Sequence, residues 1–332
     1  MNKSNNKIKI LFVYRSWAPF VIKDLEILQK QFEVKPIKFD GLKSLFKIAF
    51  SAVQSDLTFA WFAGWHSAIP IFFSKLFRKK SIVVVGGYDA AYVPEMNYGA
   101  FTNLKEKLPV LYIYKKTDLI LVVDLALKQD IIKNAKVKGD NIKYLPTGFD
   151  TDHWKSKGKK KNIALTVAVA NDIKRVKLKG FDTFVKSAKY FPETKFIVVS
   201  VKGEARKYLE GISSKNVELF EFLSENDLLK CYQTAKVYCQ LSFREGLPTS
   251  LCEAMLCECI PVGSNINGVK TAIGDTGFYA DYGDEEATIN MIKEALKSNE
   301  ELGKKARERI KNLFPESRRI KDLEKLILDL IR

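Results

Sequence analysis

The chain has 332 residues, 46% of them hydrophobic and 28% charged, a globular profile that excludes an extended disordered protein. Its formal net charge of +16 calls for an anionic partner, and nucleic acid, an anionic membrane surface and a phosphorylated substrate all qualify. No run of about 18 uncharged apolar residues occurs, so no membrane-spanning helix is expected.

The opening run MNKSNNKIKILFVY passes from polar residues straight into a strand, without the apolar stretch and small-residue cleavage site of a leader. Cytoplasmic residence follows as the expectation, with peripheral attachment to the inner face of the membrane as its variant. Residues 7–14, 32–39, 56–63, 81–87 and 118–124 are short apolar runs, as parallel strands buried on both faces require. Between them, residues 21–31 and 42–53 carry apolar side chains at helical spacing. The most apolar stretch, residues 57–77, contains Gly64, His66 and Pro70 and runs into Arg78, Lys79 and Lys80. It therefore reads as a strand, a loop and a helix. The excess of basic residues leans to this half, which could rest on a lipid surface.

After YLPTGFDTDHW (144–154) comes KSKGKKKN (155–162), a charged run that reads as a boundary. A second series of strands then begins, over 163–170, 195–201, 216–223, 236–242, 259–264 and 277–281. The last segment, 316–332, is an amphipathic helix that can pack back on the first domain. Repeated strand–helix alternation predicts an α/β protein with two doubly wound, Rossmann-like parallel-sheet domains, 1–154 and 155–315, facing each other across a cleft. Ligands in such sheets collect beyond the carboxyl ends of the strands, so the loops there are where chemistry is expected. The five cysteines, all between Cys231 and Cys259, lack zinc-knuckle spacing and read as free buried thiols.

The most informative loop is SFREGLPTSLCEAM (242–255), between a strand and a helix. A purely structural reading makes Ser250-x-x-Glu253 a capping box and leaves Gly246 and Pro248 to shape the turn. That reading does not account for Glu245. A helix N-terminus offers free amides and partial positive charge to a phosphate, and acids on either side could accept hydrogen bonds from sugar hydroxyls. A nucleotide sugar has that order of groups.

Glu245-x7-Glu253 within EGLPTSLCEAMLCECIPVGSNINGV resembles the signature of the retaining glycosyltransferases of family four, which have the GT-B fold. NVELFEFLSENDLLKCYQTAKVYCQLSFREG, DTGFYADYGDEE and KYLPTGFDTDHW are similar to the family's flanking segments, and the likeness runs from about residue 118 to 290. The resemblance implies that Glu245 and the amides of Gly246 and Leu247 face the donor sugar, with Pro248 in the same donor-binding loop. It implies that Thr249 and Ser250 contact the diphosphate, and that Glu253 binds the ribose. KGFDTFVKSA is similar to another family segment and places Lys179 at the diphosphate. The family's arginine would fall near Asn171, so Arg175 is the candidate for that guanidinium.

Other segments depart from the family. Tyr88-Asp89 stands where a histidine and an acid are usual, which makes Asp89 a candidate for orienting the sugar. His66, in GWHSA, is a further candidate site residue. The loop RSWAPF (15–20) lacks the glycines common there and offers Arg15 and Trp17 instead. The implied activity is metal-independent, retaining transfer from a nucleoside-diphosphate sugar, as co-substrate and without a cofactor, to an acceptor hydroxyl of a lipid-linked or cell-surface glycan. Fixed cations at the leaving diphosphate would do the work otherwise given to a metal. Two rival readings are a nucleotide-sugar epimerase of similar fold and a basic nucleic-acid-binding module; no nucleic-acid motif accompanies the charge.

Overall fold

The computed structural model describes residues 7–332. The chain divides into two compact units, one running to Thr147 and including Ser317–Arg332, the other Gly148–Glu316. In the first, β1 (Lys9–Tyr14), α1 (Pro19–Gln31), β2 (Glu33–Lys38), α2 (Leu42–Gln54), β3 (Leu57–Trp61), α3 (Trp65–Leu76), β4 (Lys80–Val85), α4 (Leu104–Lys116), β5 (Leu119–Val122), α5 (Leu125–Ala135) and β6 (Ile142–Tyr144) alternate throughout. The six strands form one parallel sheet in the order β2-β1-β3-β4-β5-β6. Ile10–Val13 and Ile82–Val85 are wholly buried, as befits central strands covered by helices on both faces.

The second unit contains β7 (Lys161–Ala170), α6 (Ile173–Lys179), α7 (Phe181–Ser187), β8 (Lys195–Val201), α8 (Gly203–Ile212), β9 (Val217–Phe220), α9 (Glu225–Thr234), β10 (Ala235–Gln240), α10 (Thr249–Leu256), β11 (Ile260–Ser264), α11 (Asn267–Ile273), β12 (Phe278–Ala280), α12 (Glu285–Lys297) and α13 (Glu300–Leu313). Its sheet is again parallel, ordered β12-β11-β10-β7-β8-β9. Phe184, Phe196, Val198, Val237 and Cys239 lie at its core. The cysteines are unpaired thiols, four of them buried.

Two features differ from the sequence reading. The units part between Thr147 and Gly148, ahead of the charged run at 155–162. Residues 148–154 are tied into the second unit by the Phe149–Pro315 bridge and by Arg307, which donates to the carbonyls of Thr151 and Trp154. The other is β6, which escapes the sequence pattern because it is three residues long and only Ile142 is fully buried.

The final helix, α14 (Glu316–Ile331), contributes Ser317 onward to the first unit. Arg319, buried, clamps the buried Asp24 of α1 with two bonds of 2.6 Å and donates to the carbonyls of Leu145 and Pro146. Trp61 completes the arrangement, its indole donating to Asp24 at 2.9 Å. Every guanidinium nitrogen and both carboxylate oxygens therefore have partners, which is what a buried ion pair requires to be tolerated.

Strand order decides where each unit can bind a ligand. In the first sheet the order reverses between β1 and β3, and in the second between β7 and β10. At such a switch the connections leave in opposite directions and a crevice opens beyond the carboxyl ends of the two strands.

Candidate active site

In the second unit the loops following β7 and β10 meet at that switch. Beyond β10, the Phe243 amide donates to the Leu178 carbonyl at 2.8 Å, and the Ser264 hydroxyl to the Ser242 carbonyl at 2.5 Å. Two glycines let the backbones come this close. Gly180 caps α6 with φ +65°, and a Cβ there would lie 2.1 Å from the Leu241 carbonyl oxygen. A Cβ on Gly268, at the start of α11, would lie 1.3 Å from the carbonyl oxygen of Gly246. No side chain fits either place.

This packing brings Lys179, the last residue of α6, to Glu245. The ammonium lies 2.6 Å from Oε1, and the two side chains are only 15% and 14% exposed. Gln240, buried at the end of β10, donates to the same oxygen at 3.1 Å and to the Ser242 hydroxyl at 2.9 Å. The Tyr238 hydroxyl in turn donates to the side-chain amide oxygen of Gln240 at 3.2 Å. Lys179 and Gln240 thus hold Glu245 through the same oxygen, Oε1. Arg175 precedes Lys179 by one helical turn on α6 and is exposed, so the two cations share a face. Lys177 points elsewhere, to Asp182 and Tyr208, which hold it protonated.

Pro248 stands at the N-cap of α10, and the first helical amide bond runs from Cys252 to the Pro248 carbonyl. The amides of Thr249, Ser250 and Leu251 therefore have no carbonyl a turn below them. They give this end of the loop the polarity an anion needs. The Ser250 hydroxyl is already committed, donating to the Val167 carbonyl at 3.0 Å and lying 2.8 Å from the Tyr238 hydroxyl.

The expected capping box does not form. Because Pro248 starts the helix at Thr249, Ser250 falls inside the first turn and Glu253 beyond the reach of the cap. Glu253 instead accepts from the Tyr232 hydroxyl at 3.2 Å, and burial pushes its carboxyl up to about 8, the tyrosine bond opposing. At neutral pH it is largely a neutral acid, able both to donate and to accept. Leu247 is buried and shapes the floor of the loop. Gln240, Tyr238, Tyr232 and Gly268 escaped sequence reasoning. The first three read as ordinary strand or helix residues, and a glycine a few residues after β11 gives no sign of the contact it permits.

The first unit carries its own cavity, of about 690 Å³, at the β1–β3 switch. Arg15, Phe62, His66, Tyr88, Asp89 and Glu106 line it. His66 bonds the Trp61 carbonyl through Nε2 at 2.8 Å; since a carbonyl only accepts, Nε2 carries the proton and Nδ1 remains an acceptor. Burial lowers its pKa and Arg15 adds to that, while the bonds to the Trp61 and Phe62 backbones work against it, so at neutral pH the ring is predominantly neutral. Asp89 is pushed up to about 6 by burial, although the Ala63 and Gly87 amides donate to its two oxygens and work against the shift. Those bonds tie together the loops after β3 and β4, so the carboxylate shapes the cavity wall. Phe62 holds φ +66°, a strained conformation for an aromatic residue at the rim of a cavity. Among the described residues, no three His, Cys, Asp or Glu side chains come together in a way that could hold a metal ion.

Residues 149–313 match the model of the family described as glycosyl transferases group 1. No curated protein matches the chain by sequence. Among solved structures, HepE from Anabaena in complex with UDP-glucose is similar with a TM-score of 0.79 at 16% identity, over 97% of this chain and 100% of that one. Sucrose-phosphate synthase from Thermosynechococcus elongatus gives 0.77 at 14% identity, over 98% and 99%. A variant of S. aureus TarM in complex with UDP gives 0.69 at 17%, over 86% and 59%. The fold is that of the GT-B glycosyltransferases. The second unit carries a glycosyl transferases group 1 domain, and the protein is an enzyme of the glycosyltransferase class.

Proposed function

We propose that the enzyme transfers a sugar from a nucleoside-diphosphate sugar to an acceptor hydroxyl with retention of configuration, as in the retaining family four. The observation that carries the reading is the Lys179–Glu245 pair beside the open amides of α10, at the switch point of the second sheet. HepE, a structural neighbour, was captured with UDP-glucose, which supports a UDP-sugar as donor.

In this reading the diphosphate lies against the amides of Thr249 and Ser250. Lys179 turns from Glu245 to the phosphate, and Arg175 approaches along the same helix face. Glu245 accepts hydrogen bonds from the sugar hydroxyls, and Glu253 pairs with the ribose. As the sugar–phosphate bond breaks, charge grows on the leaving diphosphate, and preorganised cations and amides stabilise that state more than the ground state. The departing phosphate oxygen receives the acceptor proton on the same face. No hydrolase-type carboxylate pair is required, and the cationic groups serve in place of a metal. The cavity of the first unit takes the acceptor, with His66 Nδ1 accepting from a hydroxyl and Asp89 holding the wall. A lipid-linked or cell-surface glycan is the favoured acceptor, approached at an anionic membrane surface.

A thermal-shift screen of nucleoside diphosphates and their sugars tests the donor site, because a ligand that binds only the folded state raises its stability. UDP and UDP-sugars are expected to stabilise the protein; a screen in which none does so would overturn the reading. Turnover in excess chelator is expected to persist.

A further inference from the structure

One layer of the first unit has an outward face that the folding of the unit does not explain. Helices α2, α3 and α4 pack side by side, and each turns an apolar stripe to the outside. On α2 it is Phe46, Phe50 and Val53, at i, i+4 and i+7, with Phe46 89% and Phe50 63% exposed. On α3 it is Trp65, Ile69, Phe72 and Leu76, and on α4 Leu104 and Leu108, continuing to Tyr112. A helix at a water-facing surface normally points charge outward along such a stripe, and a contiguous apolar face of this kind marks a binding surface. Between the three helices lies an apolar groove of about 490 Å³. It shares Trp65 and Pro109 with the His66–Asp89 cavity, so the two adjoin.

The charges on these helices are almost all of one sign. They carry Lys43, Lys47, Lys75, Lys105, Lys107, Lys115 and Lys116, and Arg78 and Lys79 follow α3 directly. Glu106 is their single acid, and it is engaged by the Tyr88 hydroxyl at 2.8 Å. Lys75 is neutralised by Asp118, at the foot of β5. The remainder leave the three helices with a net positive charge.

We propose that the α2–α3–α4 face docks on an anionic lipid bilayer, with Phe46, Phe50 and Phe72 entering the acyl boundary and the lysines meeting the head groups. The groove then receives a hydrocarbon chain of a lipid-anchored acceptor whose polar end reaches the His66 cavity; this last step rests on the glycosyltransferase reading. Charge chooses the occupant. A second copy of the chain on this face would set the same lysines against one another with only Glu106 to offset them, an unfavourable isologous pairing. An anionic bilayer supplies what the face lacks, negative charge outside and an apolar layer beneath. No described helix is long and apolar enough to cross a membrane.

The test is sedimentation of the full chain with vesicles of phosphatidylcholine alone and with phosphatidylglycerol added. Binding is expected only with the anionic lipid and weakens as salt rises. Phe46→Ser with Phe50→Ser should lower the partition coefficient by about tenfold or more, from the lost burial of two aromatic rings. Lys43→Gln with Lys47→Gln should lower it severalfold. All four side chains are exposed, so both variants keep the fold. Trp65 fluorescence, read as the difference from Trp65→Phe, should shift blue and be quenched by brominated lipid. Absence of binding to anionic vesicles, or binding indifferent to both pairs of substitutions, would overturn the proposal. So would self-association in sedimentation analysis that Phe46→Ser with Phe50→Ser abolishes. Vesicle binding needs no donor, so a parallel titration with UDP separates failure of this surface from failure of the glycosyltransferase reading.

Discussion

Glu253→Gln should stabilise the second unit at alkaline pH and leave it nearly unchanged in mild acid. In the unfolded chain this carboxyl ionises near its ordinary value of 4.5, whereas burial in the folded unit holds its proton until about 8. Between those values unfolding releases a proton, so stability is fully present below the lower one and falls by about 1.4 kcal/mol per pH unit until the higher one is passed. The full shift corresponds to roughly 5 kcal/mol, and local relaxation around an ionised carboxylate makes about 2–5 kcal/mol the range to expect. Glutamine is nearly isosteric, can accept from the Tyr232 hydroxyl and has no charge to bury, so its pH profile should lack this slope. The assay is urea unfolding followed at Trp154, whose ring packs against Tyr232 at 5.7 Å, with the other three tryptophans replaced by phenylalanine in both proteins. Profiles for the parent protein and for Glu253→Gln that run parallel from about pH 5 to about pH 8.5 would rule out a raised carboxyl at Glu253, since linkage demands that they diverge.

Three further outcomes follow from the geometry. Gly180→Ala places a Cβ 2.1 Å from the Leu241 carbonyl in a left-handed turn, so the loop must move. A displacement near 1 Å at Lys179 should cost about 100-fold in kcat/KM, against about 1–3 kcal/mol of stability measured by denaturant melting. Lys179→Ala should lower kcat by about 100- to 1,000-fold, by loss of charge stabilisation at the leaving group, with circular dichroism unchanged. Arg319→Ala strands Asp24 as an unpaired buried acid and should destabilise the first unit by about 3–5 kcal/mol, read by hydrogen exchange in α1 and α14.

Much of the fold was legible because buried parallel strands announce themselves as short apolar runs. IVVV (82–85) and LILV (119–122) have little choice of conformation once helices flank them. β6 was not legible, since IKY carries almost no hydrophobic signal and owes its place to pairing with β5. Sheet order is equally absent from local sequence, yet it is what places the loops of β7 and β10 side by side. Glu245 and Lys179 were singled out through the family resemblance of their segments, since their spacing alone says little, and their contact depends on two close approaches, at Gly180 and Gly268, that join segments far apart in the chain. The capping-box expectation failed for a local reason: Pro248, with its fixed φ and missing donor, begins the helix too early for Ser250 to act as cap. The unit boundary followed Phe149 and Arg307 rather than composition, because packing outweighs the flexibility that a run of lysines suggests.

The central claim is that Glu245 holds the sugar and Lys179 the diphosphate of one donor. Calorimetric titration with UDP and with UDP-glucose tests it most directly, on the wild type, Glu245→Ala and Lys179→Ala. The wild type should bind UDP-glucose more tightly than UDP, and Lys179→Ala should weaken both. Glu245→Ala should erase the difference while preserving or strengthening UDP binding, since the lysine is freed from its partner. A Glu245→Ala protein that keeps the full preference for the sugar-bearing ligand would show that Glu245 does not hold the sugar.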